Sequence, residues 1–135
     1  MVPKKSIIRI ARPTDRLVEI TDMYVAGLGF SIIGSFQNHD GFNGSILGHP
    51  DLAYHLEFTH QLGSCVGRAP TKDNLLAFYV PDRTDWTRAC NALHLAGFKH
   101  VKSYNSYWDT LGKTYEDLDG YRVVLQNEAW EDDLI

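Results

Sequence analysis

Residues 44–61 read GSILGHPDLAYHLEFTHQ, residues 112–127 read GKTYEDLDGYRVVLQN, and the second stretch echoes the first. Tyr54 stands against Tyr121, Leu56 against Val123 and Phe58 against Leu125. In each, turn-forming residues precede a run in which large apolar side chains alternate, the pattern of a strand with one buried face.

The segments upstream of each stretch repeat in the same order. SIIRIAR at 6–12 fits a strand with Ile8 and Ile10 on one side and Ile7, Arg9 and Ala11 on the other. Pro13, Thr14 and Asp15 offer a break and capping side chains, after which Leu17, Ile20, Tyr24 and Leu28 recur at helical spacing. Gly27 and Gly29 supply the helix end. FSIIGSFQ, NGSILG and AYHLEFTHQ then read as three strands separated by HDGFNG and GHPDL. The second half opens on LLAFYV, continues through Pro81–Asp85 into a stripe of Trp86, Ala89, Cys90 and Leu93, and closes its helix with LAGF, an echo of GLGF. The chain therefore predicts one domain over 1–135 made of two βαβββ modules, 6–62 and 74–127, with a linker at 63–73 and an acidic tail at 128–135.

Bulk composition narrows the function. Hydrophobic residues make up 44% and charged residues 22%, which suits a globular chain rather than a disordered one. A net charge of −4 with scattered Lys and Arg offers no patch for a phosphate backbone, so no nucleic-acid partner is expected. Cys65 and Cys90 form no CxxC, which argues against a disulfide framework and a thiolate zinc site and for a reduced, cytoplasmic setting. Arg9 interrupts the first apolar run too early for a signal peptide, and no run reaches the roughly 20 apolar residues of a membrane span. In the tail EAWEDDLI, Trp130, Leu134 and Ile135 are the residues able to dock on a neighbour.

YHLEFTHQ, residues 54–61, carries two histidines and a glutamate, side chains of the kind that bind divalent metals. Alternation separates them: His55, Glu57 and Thr59 share one face, while Tyr54, Leu56, Phe58 and His60 share the other. His60, at the strand end, reads as an exposed polar residue, and His55 with Glu57 remains as a polar pair. GLGF does not form a nucleotide loop, because Gly27 and Gly29 close a helix instead of opening one. His39 and His49 fall in turns, His94 and His100 flank a helix end, and Trp86 reads as a packing anchor.

The paired modules, the helix-end phrase GLGF and the final turn and strand EDLDGYRVVLQN together resemble the vicinal oxygen chelate superfamily, which includes glyoxalase I, extradiol dioxygenases and bleomycin-resistance proteins. DGYRVVL is the most specific piece, being similar to the D-P-D-G-x-x-x-E-L-like ending common there. The resemblance spans about residues 6 to 127 and implies an α+β fold. In it, two βαβββ modules form a curled mixed sheet around a cleft, with helices on the convex face. Arg9, His55, Glu57, Leu75, Ala77, Tyr79, Arg122, Val124 and Gln126 would then face the cleft. The aromatic segment KSYNSYWDTLGK, with Tyr104, Tyr107 and Trp108, would border its mouth.

In metal-dependent relatives a His, Gln or Glu on the first strand of each module and a Glu on the last strand hold the ion. Those positions fall here on Arg9, Leu75, Glu57 and Val124, and of these Glu57 alone is a ligand. A guanidinium offers only donors and would repel a cation. The expectation is a small-molecule-binding protein that needs no cofactor and sequesters an organic ligand through Arg9, His55, Glu57, Tyr79, Tyr107, Trp108 and Arg122. Homodimerisation is expected with it, since relatives commonly complete the cleft at a subunit interface. The alternative is an enzyme: a glyoxalase- or dioxygenase-like lyase or isomerase using Glu57 and His55 on a displaced divalent metal, or a metal-free one with Glu57 as base.

Overall fold

The computed structural model describes residues 1–130, so residues 131–135 of the acidic tail, with Leu134 and Ile135, lie outside the described residues. The chain forms two compact units, divided between Gly67 and Arg68. In the first, β1 (Ile8–Pro13), α1 (Leu17–Leu28), β2 (Ser31–His39), β3 (Phe42–Gly48) and β4 (Tyr54–Gln61) follow in order. The second runs β5 (Leu75–Tyr79), α2 (Arg83–Leu95), β6 (Lys99–Val101), a single helical turn α3 (Tyr107–Thr110), β7 (Gly112–Glu116) and β8 (Arg122–Gln126). Each unit holds its own four-stranded sheet, ordered β1-β4-β3-β2 and β5-β8-β7-β6. In both, the first strand runs parallel to the last and the other pairs are antiparallel. The architecture is α+β with two βαβββ modules, as the internal echo predicts.

Each core forms where the apolar stripe of a helix meets the apolar parity of the last strand. Tyr24 of α1 lies 4.9 Å, ring centre to ring centre, from Phe58, and Ile20, Leu47 and Leu56 are buried around them. In the second unit Trp86, Cys90 and Leu93 of α2 are buried together with Val123 and Leu125, and the indole Nε1 donates to the Leu125 carbonyl at 2.8 Å. Each such side chain stabilises by about 1.5–3 kcal/mol on burial. Ile8 and Ile10 share the helix-side parity with Tyr54 and Leu56, yet they remain 60% and 37% exposed. They stand on an edge strand, and α1 packs on β3 and β4.

Local chemistry sets the boundaries. Gly29 takes the left-handed conformation, φ 74°, and its amide donates to Val25 O, closing α1. Asp82 caps α2 by accepting from the Asp85 amide. Asp15 does not cap α1 as its sequence position suggests. Its carboxylate accepts instead from the Val66 and Gly67 amides at 2.9 Å each, and these bonds hold its carboxyl below the usual carboxylate range. Of HDGFNG, only Asp40 and Gly41, with φ of 51° and 85°, make the reversal, and Phe42 already belongs to β3. In the phrase EDLDGY, Asp117 Oδ1 accepts from the amides of Asp119 and Tyr121, folding the turn that delivers β8. Among the described residues no helix is long and apolar enough to cross a membrane.

Candidate functional site

The sheet face turned away from α1 carries the polar group that alternation predicts. Parallel register sets Arg9 beside His55 and Ala11 beside Glu57, and antiparallel register sets Ile46 on the other side of Glu57. Arg9 Nη1 lies 3.9 Å from Glu57 Oε2, and Nη2 lies 3.4 Å from His55 Nδ1. Because a guanidinium can only donate, Nδ1 must accept, so an uncharged His55 keeps its proton on Nε2 and presents a donor. Gly48 makes room for this arrangement: a Cβ there would stand 3.2 Å from the His55 ring and 3.0 Å from Ile33. The Arg9 side chain is 45% exposed and Glu57 17%, so the group is open to solvent on the guanidinium side.

His60 faces α1, as parity requires, but it is half-buried and not freely exposed. Its Nδ1 lies 3.1 Å from Thr14 O, a carbonyl that can only accept. The two histidines of YHLEFTHQ therefore serve opposite faces of one strand.

The equivalent face of the second sheet is covered by its own chain. Tyr79, Gln126 and Gly112 lie side by side across it, as do Ala77, Val124 and Thr114, and Leu75, Arg122 and Glu116. The segment from Lys102 to Leu111 crosses this face. The Lys102 carbonyl accepts from Arg122 Nη1, the Ser103 hydroxyl is bonded to Thr114, and the Asn127 amide donates to Leu111 O. Arg122 and Gln126 are buried beneath it, and Val124 is fully so. The Arg122 guanidinium is committed to Glu116 Oε2 at 3.1 Å, while Oε1 of the same carboxylate accepts from Arg68. Arg122 thus works as a strut for the covering segment and offers no free cation.

At one end of this face the rings gather. Trp108 lies 6.2 Å from Tyr79 and 4.7 Å from Tyr107, and Trp130 lies 5.7 Å from Tyr79. The Tyr79 and Tyr107 hydroxyls are 3.4 Å apart. That bond, with burial and the charges of Tyr107 and Glu128 behind it, pushes the Tyr79 phenol up to about 12. Both Tyr107 and Trp130 are about half exposed, so the cluster presents rings and hydroxyl tips to solvent. Tyr104 is more exposed still and joins no ring contact among the described residues. Trp130 is the member that the strand and helix pattern misses, since its role depends on the chain turning back after β8, where the Glu128 amide donates to Gln126 O.

At the positions where the resemblance implies metal ligands, Glu57 is the one ligand-type side chain. Arg9 and Leu75 stand at equivalent register positions, beside His55 and Arg122, and Val124 stands where Glu57 stands in the first unit. The guanidinium lies against both groups that could bind an ion, and among the described residues no three His, Cys, Asp or Glu side chains gather to hold one.

Comparison with known proteins agrees with this architecture. The YycE-like N-terminal domain model matches residues 8–59, and the YycE-like C-terminal domain model matches residues 73–127. The uncharacterized protein YycE of Bacillus subtilis is 43% identical over 120 residues, covering 89% of this chain and 86% of its own. The crystal structure of a YycE protein of Bacillus subtilis superposes with a TM-score of 0.86 at 40% identity, over 96% of this chain and 94% of that one. The fosfomycin resistance protein FosX of Mesorhizobium loti shares the fold at 12% identity, with a TM-score of 0.73 over 99% and 98% of the two chains. Glyoxalase I and glyoxalase/bleomycin resistance structures share the same fold.

Proposed function

The chain belongs to the YycE-like family of the vicinal oxygen chelate superfamily, and from that premise we propose that it binds a small organic molecule without a resident metal. The observation that carries this reading is Arg9, a permanent cation 3.9 Å from Glu57, at the position where metal-dependent members place a ligand. Arg9 and His55 Nε2–H supply donors and Glu57 an acceptor, which suits a polar, partly anionic group. Tyr79, Tyr107, Trp108 and Trp130 supply apolar area with hydrogen-bonding tips, which suits an unsaturated or aromatic skeleton. Neither group contains a nucleophile paired with a base, so binding is the activity these residues support best.

A homodimer accompanies the reading. The β1 edge leaves Ile8 and Ile10 exposed on one face, apolar surface of the kind a second copy covers. Cys65 and Cys90 are both free thiols, in keeping with a reducing cytoplasm.

Native mass spectrometry of protein purified from cells, together with its metal content and calorimetry against Zn, Ni, Mn and Fe, tests the proposal. A dimer carrying an organic mass and no stoichiometric metal is expected, with no turnover of a 2-oxoaldehyde–thiol adduct. One tightly held ion per chain, abolished by Glu57→Ala, would overturn it.

A further inference from the structure

An α-helix is about 10 Å across, whereas four strands spaced about 4.8 Å apart span nearly twice that width. One helix therefore cannot roof the first sheet. α1 lies over β3 and β4, where Tyr24 meets Phe58 and Thr21 meets Ser45, and β2 is left beyond its edge. The result is a crevice of about 430 Å³ between the first turns of α1 and the helix-side residues Ile32 and Ser35 of β2. Its volume lies within the range of small-molecule sites, roughly 300–1,000 Å³.

The lining defines a chemistry. Val18 and Ile32, 67% and 55% exposed, form facing apolar walls able to hold a carbon skeleton. Glu19 and Asp22, one helical turn apart, line the crevice and have no ion-pair partner among the described residues. With Asp15 they set three carboxylates against the single guanidinium of Arg16. The buried Thr21 and Ser45 hydroxyls bond to each other at 2.7 Å and keep lone pairs unused. His60, whose Nδ1 must donate to Thr14 O, keeps Nε2 as an acceptor in its uncharged form. Acceptors and negative charge thus dominate between two apolar walls.

We propose that this crevice is a second ligand site, for a primary ammonium group carried on a compact apolar skeleton. The ammonium lies with Glu19 and Asp22, and the skeleton packs between Val18 and Ile32. The site is on the opposite face of the sheet from Arg9 and Glu57, and it stands whether or not those residues bind a ligand.

Two-dimensional amide NMR on the full, isotope-labelled chain tests it with three probes of one shape: 2-phenylethylammonium, 2-phenylethanol and phenylacetate. The ammonium should shift the amides of Val18, Asp22, Ile32 and Ser35 in a saturable way, the alcohol should bind about tenfold more weakly, and the carboxylate should leave those amides unmoved. The pair Glu19→Gln and Asp22→Asn should weaken the ammonium about tenfold, and Val18→Lys, which tethers a cation at the rim, should do the same. Equal binding of all three probes, shifts centred on Arg9 or Tyr79, the absence of saturable shifts, or an ammonium affinity untouched by these variants would overturn the proposal.

Discussion

Arg9 and Glu57 face each other from neighbouring parallel strands, Nη1 to Oε2 at 3.9 Å, with His55 Nδ1 3.4 Å from the same guanidinium. The pair is partly solvated, so Arg9→Gln should lower stability by no more than about 1 kcal/mol while removing the donors offered to a ligand. Arg9→His makes the sharper test, because it exchanges the cation for an imidazole beside His55 and Glu57. Calorimetry should detect Zn or Ni uptake by Arg9→His and none by the native chain. Equal uptake by both would show that the guanidinium does not exclude the ion.

Glu116 holds two arginines, one of them buried: Arg122, at 5% exposure, has no other carboxylate partner among the described residues. Glu116→Ala leaves that charge uncompensated and should destabilise the chain by about 3 kcal/mol in chemical denaturation. Replacing both residues with apolar side chains should cost much less.

Gly112 lies under the covering segment, where a Cβ would come within 2.6 Å of the Trp108 carbonyl and 2.5 Å of Gln126 Oε1. Since one contact is backbone, the strain cannot be relieved by a rotamer change, and Gly112→Ala should lose about 1–3 kcal/mol. It should also move Trp108 away from Tyr79, which tryptophan emission would register. An unchanged melting temperature and emission maximum would show that the segment shifts freely.

Tyr79 binds its proton more tightly folded than unfolded, its phenol standing at about 12 against an ordinary 10. The stability this contributes is complete below pH 10 and declines as pH rises from 10 toward 12. Ultraviolet titration at the phenolate band should find this tyrosine ionising late, and Tyr107→Phe should bring it back toward the ordinary range. Burial also pushes Tyr115 up, so late ionisation persists in any case, and the readout is the loss of one late-ionising equivalent. An unchanged number in Tyr107→Phe would reject the hydroxyl contact as the main cause.

The polar face of YHLEFTHQ is legible in the sequence because strand parity is a local property. Once residues 54–61 are a strand, His55 and Glu57 share a face and His60 does not. Arg9 follows by register with His55, and the helix stripes through Tyr24 and Trp86 follow from a period of 3.6. What covers a face is not local. Arg122, Val124 and Gln126 have the parity of an open face, yet the Lys102–Leu111 segment buries them. Likewise Asp15 looks like a helix cap until residues about fifty positions later supply amides for it.

Two βαβββ modules, and the side of each strand on which its polar residues stand, are written in local sequence, since they depend on neighbours a few positions away. That Arg122 is a strut, that Trp130 joins Tyr79, that His60 is tied to Thr14 and that one helix leaves a crevice beside β2 emerge with the packed chain. Those outcomes depend on which distant segments fill the space over each face, and that is set by packing dimensions and hydrogen-bond partners far along the chain.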